Sequence, residues 1–420
     1  MISCIEALNY KCLRYVKQAV QPLQVLVGPN ASGKSTFLDV VAFLGDMLRS
    51  GPEGPEAPVR TRGRSVRELA WRYEDDRFSF AVELRLPQSI RERNKAYEFC
   101  RYEVQIGVHP EEGVGILGET LWLKRNWANA GEPVQASLFP AEPQPPRALV
   151  WPAGKHTPAG WRKVVWKSPD LRNDYFRAET TGWNAPFRSG PHRAALANLP
   201  EDTERFPAAT WARTVLTRRV QVLGLNSLRM RQPCPPDSPI TFRADGSNLP
   251  MVVRELGNRD PRRFHAWVEH VQSVLEGLQE IEVKERESDR HLYLAVRFGA
   301  GLTVPSWLLS DGTLRLLALT LVAYLDVPDA VYLIEEPENG LHPRTLEAVF
   351  QSLSSVYEGQ VLLATHSALL LALAKPADML CFALAPSGAA DIVSGERHPR
   401  LRDWRGEVDL GVLFAGGVLG

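Results

Sequence analysis

The feature that most constrains this chain is an apolar run, LQVLVG from Leu23 to Gly28, that passes straight into Pro29-Asn30-Ala31-Ser32-Gly33-Lys34-Ser35. The residues after it, STFLDVVAFLGDML from Ser35, carry apolar positions at helical spacing. Gly28 to Ser35 fits G-x-x-x-x-G-K-[ST], and it lies after a strand and before a helix, as its mechanism requires. The glycines let the backbone wrap closely around a phosphate chain. The loop amides and the helix N-terminus, where Thr36 follows Ser35, add partial positive charge. In this arrangement Lys34 reaches the β- and γ-phosphates and the Ser35 hydroxyl ligates Mg²⁺. A strand, phosphate loop and helix so joined predict an α/β nucleotide site.

The C-terminal third supplies what such a loop needs. AVYLIEE is a continuous apolar strand ending in Glu335 and Glu336, RTLEAVFQSLSSVY is an amphipathic helix, and QVLLATHS is a second buried strand closing on Thr365-His366-Ser367. Uninterrupted apolar strands suit a parallel sheet covered on both faces. Carboxylates at a strand's carboxyl end stand where such sheets bind ligands. Glu335 is the expected Mg²⁺ ligand and Glu336 the group that orients or deprotonates the attacking water. His366 ends the neighbouring strand, within reach of a γ-phosphate. Upstream, LLSDGTLRLLALTLVAYL reads as a helix opened by Ser310, Asp311 and Gly312. The ordinary account is an N-cap; the alternative aims the positive end of this helix at an anion. No Asn-Lys-x-Asp signal for guanine is found.

Between these blocks the chain changes character. GPEGPEAPVRTRGR, Gly51 to Arg64, reads as a surface loop, and FSFAVELRLP, CRYEVQIGV and GVGILGETLWLK as an antiparallel meander. Residues 125–239 are Pro-rich, with Trp127, Trp151, Trp161, Trp166, Trp183 and Trp211. From Trp122 to Arg231 there are 17 Lys and Arg against 8 Asp and Glu, an excess of +9 in a chain of formal charge +0. The division expected is therefore a head formed by 1–124 and 240–420, split by a basic insertion at 125–239. Five scattered cysteines without Cys-x-x-Cys spacing argue against a disulfide framework or a zinc site. With no signal peptide and no apolar run of bilayer length, the chain is expected to be soluble and cytoplasmic.

Gly28–Ser35, Leu309-Ser310-Asp311-Gly312-Thr313, Ile334-Glu335-Glu336-Pro337, Asn339-Gly340-Leu341-His342-Pro343 and Thr365-His366-Ser367 stand in the order of the ABC-class ATPase motifs. They resemble Walker A, signature, Walker B with catalytic glutamate, D-loop and H-loop. The phrasing EEPENGLHP, with TFRADGSNLP upstream and VDLGVLFAGGVLG at the end, is similar to a narrower group. That group is the soluble prokaryotic AAA-family ABC ATPases related to OLD (overcoming lysogenization defect) proteins and SMC/RecF-type heads. The resemblance implies an α/β P-loop NTPase of ABC-ATPase type with a central, mostly parallel sheet and an antiparallel β-subdomain. It implies ATP and Mg²⁺ as cofactors, with Asn339 beside the nucleotide and Ser310 and Gly312 touching the γ-phosphate held by a second subunit. Two departures stand out: the metal acid is Glu335 where most ABC proteins have Asp, and no Q-loop glutamine is placed. With so few residues after His366, the chain is expected to lack the Toprim nuclease domain of OLD proteins, and nuclease activity is not expected of it.

Two functions follow as expectations. One is an ATP-hydrolysing switch that dimerises head to head around ATP and controls an effector, nuclease-like and supplied by another chain, in phage defence or DNA surveillance. The other is a RecF/SMC-like clamp in DNA repair or maintenance, in which the basic, Trp-rich insertion contacts DNA by phosphate neutralisation and stacking. A transporter ATPase fits less well, because 276 positions separate Lys34 from Ser310 and no membrane domain accompanies them.

Overall fold

Leu23–Val27 alternates between two cores: Leu26 faces one side, Val25 and Val27 the other. This strand, β1, belongs to a six-stranded sheet in a computed structural model that describes residues 1–94, 96–125, 139–150, 157–168, 170, 172–401 and 410–417. With β2 (Val220–Leu223), β3 (Val331–Glu335), β4 (Gln360–Ala364), β5 (Met379–Leu384) and β6 (Ala390–Ser394), the spatial order is β2-β3-β4-β1-β5-β6. Five strands run parallel, and β6 returns antiparallel to β5. The same alternation recurs in β3 and β4, where Leu333 and Leu362 face one core and Ile334 and Leu363 the other. Apolar residues on both faces are what a covered parallel sheet demands.

Helix α1 (Lys34–Arg49) fills the first core. It lies between the central sheet and an antiparallel sheet of eight strands, so Phe37, Val40, Val41, Phe43, Leu44 and Met47 are all buried. Phe43 packs in an aromatic cluster with Tyr10, Phe78 and Phe80 from that second sheet. Each such side chain contributes roughly 1.5–3 kcal/mol of burial, which holds the phosphate loop's helix between two layers. The second core lies under α2 (Asp311–Leu321) and α3 (Pro343–Ser354), whose Leu314, Leu317, Leu346 and Val349 cover the other face.

The antiparallel sheet runs Leu13–Ala19, Ile2–Tyr10, Arg77–Arg85, Phe99–His109, Gly113–Lys124, Trp161–Lys167, Asn173–Arg177 and Asn184–Arg188. Its last three strands and β2 all come from residues 125–239. Trp166 pairs with Thr120, and Val220–Leu223 pairs with Val331–Ile334. Strands from both sides of position 124 thus share the antiparallel sheet, and the described part of 125–239 contributes strands to both sheets.

Its aromatic residues are also engaged. Trp161 packs on Trp122, Trp166 stacks on Tyr175, Trp183 meets Phe206, and the Trp211 indole donates to Asp329 at 2.8 Å. Trp127 and Trp151 lie outside the described residues. The expected loop at 51–64 is corrected, since Glu56–Arg62 is helical. Pro58 sits in that helix's first turn, where its missing N–H removes no bond, and Arg62 ties the helix to Asp39 and Asp46 of α1.

Candidate functional site

The loop after β1 closes because three backbone positions leave the ordinary helical and extended regions, the first of them Gly28 at φ 153°. Ala31 has φ 61° and Gly33 φ 105°. Gly33 has a second reason to be glycine: a Cβ there would lie 3.0 Å from the Cys12 Sγ at the turn between the first two antiparallel strands. Lys34 is buried and donates to the carbonyls of Gly28 (2.8 Å) and Pro29 (2.7 Å), so its ammonium hangs across the loop mouth. Burial pulls this lysine down to about 8, against the opposing pull of Glu336 and Glu335. Pro29, Asn30 and Ala31 are exposed, while the Ser32 hydroxyl is buried without a partner among the described residues.

The β3 carboxylate arrives from two strands away in the same parallel sheet. The Ser35 hydroxyl donates to Glu335 Oε2 at 2.6 Å across 300 residues of sequence. Glu335 is one methylene longer than Asp, yet it reaches. Thr36 stands one residue on and, with Ser35 and Glu335, lines a 680 Å³ cavity that runs along α1 past Asp39 and Asp46 to Arg49. Among the described residues no three His, Cys, Asp or Glu cluster as a protein cage for a metal. One carboxylate and one hydroxyl at hydrogen-bonding distance are the donor set Mg²⁺ uses when phosphate oxygens and water complete its shell, and Ser35 with Glu335 fits it.

Glu336, just past β3, has φ 47°, an unusual backbone for a residue with a side chain. Its N–H donates to the Ala364 carbonyl of β4 at 2.8 Å, and Asn339 Nδ2 donates to its Oε2 at 2.5 Å. Strain held by such contacts clusters at functional sites. His366 follows β4; burial and Lys34 lower its pKa, while Glu336 and Glu338 work to raise it. Its imidazole is held toward the neutral form.

Ser310, Asp311 and Gly312 lie elsewhere in the chain's own geometry. Among the described residues, no hydrogen bond joins them to 28–36. The Ser310 side chain caps α2, accepting from the Thr313 amide at 3.1 Å. Gly312 lies against the D-loop, so closely that a Cβ would stand 2.7 Å from the Gly340 carbonyl. The Asp311 carboxylate pairs with Arg231 at 2.6 Å, and Arg231 also donates to the Leu309 carbonyl at 2.9 Å. Arg231 was not among the expected site residues. Only its place in the basic run was legible. Glu338, also unforeseen, accepts from Thr365 Oγ1 (2.7 Å) and the His366 N–H (2.9 Å). The strand beside Glu335's, β2, is followed by Gly224-Leu225-Asn226, with no glutamine there; Gln221 lies within the strand and lines the cavity.

A phosphate loop, an acid facing its serine and a second acid beyond, at the carboxyl edge of a mostly parallel sheet, define a P-loop NTPase of the α/β class. The family model described as "AAA domain, putative AbiEii toxin, Type IV TA system" matches residues 23–372, and the chain belongs to that family. No curated protein matches the sequence. Among solved structures it is similar to an Smc head bound to the C-terminal winged-helix domain of ScpA, at 13% identity and TM-score 0.47, covering 94% of this chain and 97% of that one. It is likewise similar to the SMC head domain from Thermotoga maritima (12%, TM-score 0.43, 94% and 98%). A third is the Smc head with an extended coiled coil bound to the C-terminal domain of ScpA from Pyrococcus furiosus (13%, TM-score 0.46, 94% and 96%). Likenesses this distant carry no functional argument. No helix of the described residues is long and apolar enough to cross a membrane.

Proposed function

We propose that this protein binds and hydrolyses ATP with Mg²⁺, as a head that pairs with a second copy and thereby switches a separate effector. The observation that carries the reading is the 2.6 Å contact between Ser35 and Glu335, with Glu336 one residue further on. When bound, Mg²⁺ supplies neutralising charge on the phosphates, held by Ser35 and Glu335. The amides of 28–36 cradle the phosphate chain, and Lys34 turns its ammonium from the loop carbonyls to the β- and γ-oxygens. Glu336, fixed by Asn339, accepts the proton of the attacking water. Neutral His366 donates a hydrogen bond to the γ-phosphate. Ser310 and the Gly312 amide, at the positive end of α2, meet the γ-phosphate bound by the partner subunit. Closure then depends on the γ-phosphate, since both subunits touch it only in the closed state.

The family's description as a putative toxin of a toxin–antitoxin system fits a head that works beside a second protein; phage defence or DNA surveillance is the setting we propose for it. The DNA-clamp alternative draws less support at two of the charges expected to meet DNA, which have internal partners. Arg162 donates to the carbonyls of Ala178 and Thr181, and Lys163 sits over the rings of Trp122 and Trp166. The Glu336→Gln variant tests the chemistry: it should bind ATP like the wild type yet hydrolyse it roughly 10²-fold more slowly. Wild-type turnover in that variant removes Glu336 from the mechanism.

A further inference from the structure

Three side chains near the nucleotide site remain outside that mechanism: Arg231, Gln221 and Glu338. Arg231 anchors the entrance of α2, and Gln221 only lines the cavity. Glu338 is different. It lies on the turn between β3 and α3, two residues past Glu336, and its Oε1 accepts two hydrogen bonds from the end of the neighbouring strand. One comes from the Thr365 hydroxyl at 2.7 Å and the other from the backbone N–H of His366 at 2.9 Å. Its second oxygen, Oε2, is buried with no hydrogen-bond partner among the described residues.

From this geometry we infer that Glu338 is the positioning residue for His366, fixing the backbone from which the imidazole reaches the γ-phosphate. The inference rests on the hydrolytic reading of His366 given above. Thr365 is fully buried, so its hydroxyl has no water to turn to and is committed to Glu338. The Ser367 N–H donates in turn to the Thr365 hydroxyl at 2.9 Å, extending the grip across Thr365-His366-Ser367. The same turn carries Asn339, which holds Glu336. One short segment thus sets both the proton acceptor and the histidine. A buried carboxylate oxygen left unpaired works against stability. A residue kept only for stability would not take that form, whereas one kept to hold a strand end in register with a catalytic loop can.

The test is a double-mutant cycle on the full-length protein, with ATP hydrolysis, nucleotide affinity and melting temperature as readouts. The single variants are Glu338→Ala, Thr365→Val and His366→Ala. Glu338→Ala should lower kcat about tenfold or more and leave ATP affinity within about threefold; the melting temperature should fall equally with and without His366, because the Thr365 hydroxyl loses its acceptor in both backgrounds. In the His366→Ala background the same substitution should cost less than about threefold, because its route to the chemistry is already gone. Thr365→Val, which removes one of the two bonds from the other partner, should reproduce the pattern in weaker form. If Glu338→Ala slows hydrolysis equally with and without His366, Glu338 acts by another path and the inference falls. If Glu338→Ala does not fold, Thr365→Val carries the same cycle with the same two outcomes, and Glu338→Gln, whose carbonyl oxygen can keep both bonds, should hold kcat within about threefold of the wild type. If His366→Ala turns over like the wild type, the hydrolytic role of His366 falls, and this inference with it.

Discussion

Glu179 shows how far a single buried carboxylate shapes this chain. It accepts N–H bonds from Ala208 and Ala209, in the first turn of the helix Pro207–Thr214, and a third bond from Asn94. Burial nevertheless pushes its pKa up to about 7, the three bonds opposing. The folded chain therefore keeps this proton to higher pH than the unfolded chain, which releases it near 4.5. The stability it adds is full below about 4.5 and is lost as pH rises through 7. Glu179→Gln removes that dependence. The melting-temperature difference, wild type minus variant, should shrink between pH 5 and pH 8, by an amount reflecting at most a few kcal/mol. A difference that grows with pH would mean that the three donors outweigh burial. At the same scale, the Glu336 turnover test and the Glu338 cycle ask whether single carboxylates carry the roles their hydrogen bonds suggest.

At the scale of elements, what could be read from sequence was whatever local pattern and local chemistry specify together. LQVLVG, its glycine turn and α1 are contiguous, so strand, anion loop and helix were legible as one unit. The acids of β3 and the histidine beyond β4 were legible because apolar strands end on them. Strand β2 was hidden: four residues, VQVL, inside an Arg- and Pro-rich stretch have too little pattern to show, and only pairing with β3 makes them a strand. The helix Glu56–Arg62 was hidden by its prolines, and its hold comes from Asp39 and Asp46, contacts no local window contains. Arg231 and Glu338 escaped for the same reason, since their partners lie 80 and about 27 residues away. This gives an element-scale expectation: Arg62→Ala cuts both ion pairs to α1 and should lower stability by about 1–3 kcal/mol. Chemical denaturation would read this, and an unchanged midpoint would show that apolar packing alone holds the helix.

For the whole molecule, the central claim is that the nucleotide site is built from two copies. Within one chain the phosphate loop and Ser310 have no hydrogen bond between them among the described residues, and the Ser310 side chain at the head of α2 bonds only to Thr313 among those residues. The most direct measurement mixes two inactive variants, Lys34→Ala and Ser310→Arg, and follows ATP hydrolysis against the fraction of mixed dimer. In a mixed dimer one composite site takes both lesions and the other is intact. Activity should therefore return in proportion to heterodimer, toward half the wild-type rate per dimer if one intact site fires alone. If mixed dimers form and no activity returns, the shared-site account is contradicted.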